Sequence, residues 1–123
     1  MSLVPENLSY TKDHEWALIE GREATIGITD HAQKELGDIV FVELPKIGAV
    51  LKTGEAFGTI EAVKTVAELY APLSGTVTAV NADLAKDAGI VNQEPYQKGW
   101  IIKVAVEDLG KELMNAAAYR KLI

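Results

Sequence analysis

The sequence predicts a mainly β protein, a sandwich or barrel of short strands interrupted by two helical stretches. Three observations carry this expectation. Apolar residues recur at every second position through most of the chain, the period of a half-buried strand rather than the 3.6 of a helix. Turn-forming residues stand between these runs at Gly21, Pro45, Gly48, Gly54, Pro72, Gly75, Gly89 and Gly99. The chain has 123 residues, 48% hydrophobic and 24% charged. That is the makeup of a single domain, residues 1–123, burying roughly 65% of its unfolded surface around one core.

The elements follow in chain order. Ala24, Ile26 and Ile28 share one face of a strand. Thr29 is placed to cap a helix over residues 29–36, with Asp30 complementing the helix dipole and Gly37 able to close it as a left-handed C-cap. Val40, Val42 and Leu44 are expected on one face of the next strand. Alternation then leads up to Val63-Lys64 and away again towards Pro72-Leu73-Ser74-Gly75, where Ser74 reads as a turn residue. Val77 and Ala79 oppose Thr76 and Thr78. From Trp100 to Val106, Trp100, Ile102, Val104 and Val106 oppose Ile101, Lys103 and Ala105. Residues 108–122 carry Leu109, Leu113, Ala116, Ala117 and Leu122 at helical spacing, and Asn115 can cap a short helix there. A faint repeat relates Gly37–Val42 to Gly75–Val80. Trp16, Phe41 and Trp100, each in an alternating run, are expected as core or cleft-wall residues, and Asn81 as a turn former.

Composition excludes several kinds of function. The chain has no cysteine, hence no disulfide framework, thiol nucleophile or dithiol motif of its own, and sulfur redox chemistry would have to be imported. Eighteen Asp and Glu against twelve Lys and Arg give the wrong sign for displacing counterions from nucleic-acid phosphates. The longest apolar runs, such as Ile39-Val40-Phe41-Val42, fall far short of the ~20 residues that span a bilayer. The first residues lack the features of a signal or transit peptide, so no membrane role and an intracellular setting are expected. Gly110-Lys111-Glu112 is not a phosphate-binding loop, and Ser74 is not in a nucleophile elbow. His14 and His31 lie apart in the sequence with no obvious third ligand, so neither a metal site nor a catalytic histidine is expected.

Lys64 stands out because the strands on either side of it leave it at the reversal of a hairpin or on an exposed strand, although a solubilising edge lysine would look the same. The surrounding pattern adds to this. Glu61-Ala62-Val63-Lys64, followed by Pro72-x-x-Gly75, resembles the swinging-arm lysine site of biotinyl and lipoyl carrier domains. His14-Glu15-Trp16, Gly27–Gln33, Leu36–Pro45, Val91-Asn92, Glu94-Pro95-Tyr96 and Gly99-Trp100 stand, in order, where the H proteins of the glycine cleavage system have them. The resemblance runs from about Tyr10 to Tyr119.

The resemblance implies a flattened barrel-sandwich hybrid of two short sheets, with Lys64 projecting from a hairpin and amidated by lipoic acid. A free lysine amine is protonated at neutral pH and a poor nucleophile, so a separate lipoate-attaching enzyme would join the two, with Glu61 helping it to recognise the hairpin. Biotin carriers typically flank the lysine with methionines, which are absent here. The implied function is that of a non-catalytic carrier, expected to be monomeric. Its arm would accept an aminomethyl group from glycine decarboxylase, pass it to aminomethyltransferase and tetrahydrofolate, and be reoxidised by dihydrolipoamide dehydrogenase. Glu15 would line a cleft for the loaded arm, with Asp13 and Glu68 assisting. A bacterial cytoplasm, or the mitochondrial matrix for a processed protein, is the implied setting. Two other readings stay open: a lipoyl or octanoyl relay to 2-oxo acid dehydrogenase complexes, and a non-covalent binding module that has lost the arm.

Overall fold

The computed structural model describes residues 3–111 and 113–123. Among the described residues, nine strands and four short helices follow one another in the order β1 (Ser9–Tyr10), β2 (Glu15–Glu20), β3 (Glu23–Ile28), α1 (Asp30–Leu36), β4 (Ile39–Glu43), β5 (Val50–Leu51), β6 (Ala56–Ala62), β7 (Val66–Tyr70), β8 (Ser74–Val80), α2 (Asp83–Lys86), α3 (Ile90–Gln93), β9 (Ile102–Asp108) and α4 (Ala116–Leu122). They form a six-stranded sheet, β1-β2-β3-β9-β8-β5, and a three-stranded sheet, β4-β6-β7. All pairings are antiparallel. The two parts of the faint repeat fall in different sheets, β4 in the smaller and β8 in the larger. The expected class, a mainly β protein built from two sheets, is the one observed.

Alternation places the core. Ala17, Ala24, Ile26 and Ile28 from β2 and β3 pack with Ile60 and Leu69 from the small sheet and with Val77, Ile102 and Val104 from β8 and β9. Each fully buried Ile or Val of this set contributes about 1.5–3 kcal/mol relative to an exposed position. The opposite face of β2 is buried too. Trp16 and Leu18 join Val4, Leu8, Tyr10, Ala116 and Tyr119 in a second, smaller cluster, because α4 folds back over β1 and β2. Tyr10 and Tyr119 stack there at 4.7 Å, and the Trp16 indole N–H donates to the Pro95 carbonyl at 3.0 Å. Gly27, directly across from Trp16, is required here, since a Cβ at that position would lie 2.7 Å from the indole ring.

Helix α1 begins as its sequence indicates, with the Thr29 hydroxyl accepting from Ala32 N–H. Gly37 ends it at a positive φ of 79°, but its ψ of −153° is not that of a left-handed helical cap. Asn92 on α3 then fixes the exit of the chain: its amide donates to the carbonyl of Gly37 at 2.8 Å and to Gln33 at 3.0 Å, and its carbonyl oxygen accepts from Ile39 N–H at 2.9 Å.

Five local expectations need correction. Val77 and Ala79 do not share a face, because a register shift between them pairs Val77 with Val104 but Ala79 with Lys103, the next residue along β9. Val40, Val42 and Leu44 do not share a face, because a register shift between Ile39 and Phe41 breaks the alternation of β4. A bulge of this kind re-aims side chains, so Ile39 and Val42 are buried while Val40 and Phe41 are 58% and 47% exposed. Phe41 is therefore neither core nor cleft wall, and Trp16 and Trp100 sit in or against the smaller cluster. Residues 108–122 are not helical throughout: β9 runs to Asp108, Met114 bridges to Tyr10, and among the described residues of this range only Ala116–Leu122 is helix, capped by Asn115 as expected. Ser74 opens strand β8 rather than sitting in a turn.

Candidate functional site

Lys64 lies at the tip of the β6–β7 hairpin, between Ala62 and Val66, and is exposed. Two backbone hydrogen bonds hold the tip: Ala62 N–H donates across it to Thr65 at 2.8 Å, and Val63 N–H donates to the carbonyl of Asp38 at 3.0 Å. The second ties the hairpin to the α1–β4 junction that Asn92 organises. The lysine stem runs over Gly37, where an added Cβ would lie 3.3 Å from Lys64 Cε and 3.7 Å from Nζ. Glu61 points outward on β6, in register with Phe41 on one side and Val66 on the other, away from the residues described next.

Beside the hairpin is a cleft of about 140 Å³. Its floor is aliphatic, formed by Ile28, Ile60 and Leu69; its rim carries the exposed Asp13, Glu35 and Glu68, and Glu15 is buried within the lining. Leu36, the residue before Gly37, lines it as well, so the lysine stem crosses the backbone at the cleft's edge. Asp13 and Glu15, neighbours at the start of β2, thus meet Glu68 from the distant strand β7 at one place.

Glu15 is the most unusual group in the cleft. It is 2% exposed, and burial pushes its carboxyl up from the ordinary 4.5 to about 7. The nearby Asp13 charge adds slightly to the rise. Two hydrogen bonds oppose it: the Thr11 hydroxyl donates to Oε1 at 2.7 Å and Tyr70 N–H to Oε2 at 3.1 Å. Both oxygens are therefore held in place, and any cation entering the cleft would offset the desolvation of the charged form. Glu68 is exposed and accepts from the Tyr70 hydroxyl at 3.1 Å.

The histidines are not apart in space. His14 and His31 have ring centroids 4.7 Å apart, and Glu35 lies 3.1 Å from His31 Nε2. Separation along the chain was a poor guide, because the pairing of Glu15 with Ile28 in the β2–β3 hairpin brings the start of β2 beside the start of α1. His14 has a positive φ of 69°, and its ring is held below the ordinary histidine pKa by burial and then by His31. Sequence reasoning also missed Thr11 and Tyr119 as supports of the site. The i,i+4 spacing of His31 and Glu35 on α1 was a visible signal, but nothing local pointed to His14 as their neighbour.

Comparison with known proteins adds to this geometry. Residues 8–123 match the family model described as glycine cleavage H-protein. The chain is 50% identical to the glycine cleavage system H protein of Herpetosiphon aurantiacus, over 100% of this chain and 95% of that protein. With the H protein of Chlorobium limicola it shares 55% identity, over 98% of this chain and 97% of the relative. The crystal structure of a glycine cleavage system H protein from Mycobacterium marinum superposes with a TM-score of 0.90 at 38% identity, covering 96% of this chain and 97% of that one. Matches of this extent, over nearly the whole of both chains, show that the chain belongs to the glycine cleavage H-protein family.

Proposed function

We propose that Lys64 is the attachment point of a lipoyl group, and that the chain is the non-catalytic carrier presenting this arm to glycine decarboxylase, aminomethyltransferase and dihydrolipoamide dehydrogenase after a lipoate-attaching enzyme has joined the two. The observation that carries this is the placement of Lys64: an exposed amine on a pinned hairpin, its stem crossing a glycine at the edge of a carboxylate-rimmed aliphatic cleft. Family membership supports the choice of multienzyme system.

The residues present fit such a group. An exposed amine can enter an attaching enzyme's active site without the hairpin unfolding, and Glu61, also exposed, stands three residues away for recognition. The attached lipoyl group supplies the disulfide that takes up and releases the aminomethyl unit, and the protein positions it. Gly37 leaves room for the stem to lie flat. Ile28, Ile60 and Leu69 provide apolar surface for a hydrocarbon chain, and Glu15, with Asp13 and Glu68 beside it, provides a buried negative charge for a terminal ammonium. Excluding water there protects a hydrolysable cargo.

Intact mass spectrometry after co-expression with a lipoylating system tests this. The mass is expected to rise by one lipoyl group, and Lys64→Arg, which keeps the charge at an exposed position, is expected to abolish the rise. Modification at another residue, or none under conditions that lipoylate a control carrier, overturns it. Glu15→Ala is expected to shorten the lifetime of the loaded arm, and an unchanged hydrolysis rate would remove Glu15 from this role.

A further inference from the structure

We propose that His14, His31 and Glu35 form a binding site for a divalent transition-metal ion of the zinc class, with three protein ligands and its open coordination positions towards the cleft. One ligand atom from each residue lies within 4.8 Å of the others. In a tetrahedral zinc site with bonds of about 2.1 Å, ligand atoms stand roughly 3.4 Å apart, so side-chain rotation of an angstrom or so completes the set. Glu35 is exposed and His31 half-buried, which leaves both free to make that adjustment.

The site is built from two fixed elements. His31 and Glu35 are one turn apart on α1 and already in contact at 3.1 Å, and α1 is anchored by the Thr29 cap and by Asn92. His14 faces them from the β1–β2 connection. Its N–H donates to Thr11 and its carbonyl accepts from Thr29 N–H at 3.0 Å, which over-determines a backbone with positive φ. The His14 Nδ1 is hydrogen-bonded to the Tyr119 hydroxyl at 2.8 Å, and that hydroxyl also bonds the Thr29 hydroxyl at 2.8 Å. Histidines that ligate metals are characteristically held in this way, with one ring nitrogen tied to a supporting group and the other left for the ion.

Two imidazoles and one carboxylate are a recognised zinc set with open positions, and the chain has no thiol to compete for the ion. His14 and Glu35 both line the cleft, so the remaining positions face it. A bound dication there would oppose the retention of a cationic cargo near Glu15 and Glu68, a consequence that rests on the carrier reading. The metal site itself needs no arm.

The test uses the full chain, unmodified at Lys64 and without a polyhistidine tag. Zn²⁺ is titrated calorimetrically at pH 7.5 into metal-free protein, with Co²⁺ visible absorption as a second readout. One ion per chain is expected. His31→Ala, on a half-exposed helix face that tolerates substitution, should weaken binding at least tenfold and remove the Co²⁺ d–d bands. Tyr119→Phe keeps the stacked ring but loses the hydroxyl, and should weaken binding roughly tenfold while leaving one ion per chain. Absence of saturable binding, or an affinity unchanged in both His31→Ala and Glu35→Gln, overturns the proposal. Neither result bears on lipoylation of Lys64, which mass measurement reports separately.

Discussion

Replacing Glu15 with Gln should make the protein more stable above neutral pH, although it removes a hydrogen-bonded carboxylate. The carboxyl titrates at 4.5 when unfolded and at about 7 when folded. Between those values the folded state holds more protons than the unfolded state, so stability falls as pH rises through that window and is lowest above the folded pKa. At about 1.4 kcal/mol per pH unit, the full cost of ionising the buried group is about 3 kcal/mol. Gln removes the titration and can still be satisfied: its oxygen can accept from Tyr70 N–H while its amide donates to Thr11 Oγ1, which has lone pairs available. The assay is urea unfolding of wild type and variant at pH 4 and pH 8, with a chelator present so that no ion occupies the neighbouring His14. Groups that do not interact with residue 15 are common to both proteins and cancel in the difference. The stability of the variant minus that of wild type should rise by about 3 kcal/mol between the two pH values. A difference that stays flat, or that falls as pH rises, refutes the assignment of a desolvated carboxyl to Glu15.

Three further substitutions probe how the site is held. Asn92→Ala removes the partners of Gly37 C=O and Ile39 N–H and should cost about 1–3 kcal/mol, with faster amide hydrogen exchange at Ile39. Gly27→Ala drives a methyl into the Trp16 ring and should cost roughly 1–3 kcal/mol by overpacking, with a change in tryptophan fluorescence. An unchanged spectrum and stability would show that the ring shifts freely. Asn115→Ala removes the side-chain cap on Ala118 N–H and should cost about 1 kcal/mol, read by denaturant unfolding and by exchange at Ala118.

The cleft depends on supports that are not among the residues lining it. Thr11 and Tyr70 fix the two oxygens of Glu15, Asn92 fixes the backbone beneath the Lys64 stem, and Tyr119, from the last helix, reaches back to His14 and Thr29. The carboxyl-terminal helix is therefore part of the site although none of its residues lines the cleft. Its docking also explains why Trp16 and Ala17, neighbours on β2 with opposite orientations, are both buried.

Much of this was legible in the sequence because it is decided within a few residues. The alternation of Ala24, Ile26 and Ile28, the caps at Thr29 and Asn115, and the hairpin that presents Lys64 each satisfy apolar or backbone groups with near neighbours, so the local pattern is enough. The bulge that turns Val40 and Phe41 outward, the bridge from Met114 to Tyr10 that shortens the last helix, the raised pKa of Glu15 and the meeting of His14 with His31 and Glu35 were not legible. A bulge is a mismatch between two paired strands, desolvation is set by whatever packs on top of a carboxylate, and side chains converge only once the strands and α1 have docked. These features belong to contacts between distant segments, and tertiary structure alone decides them.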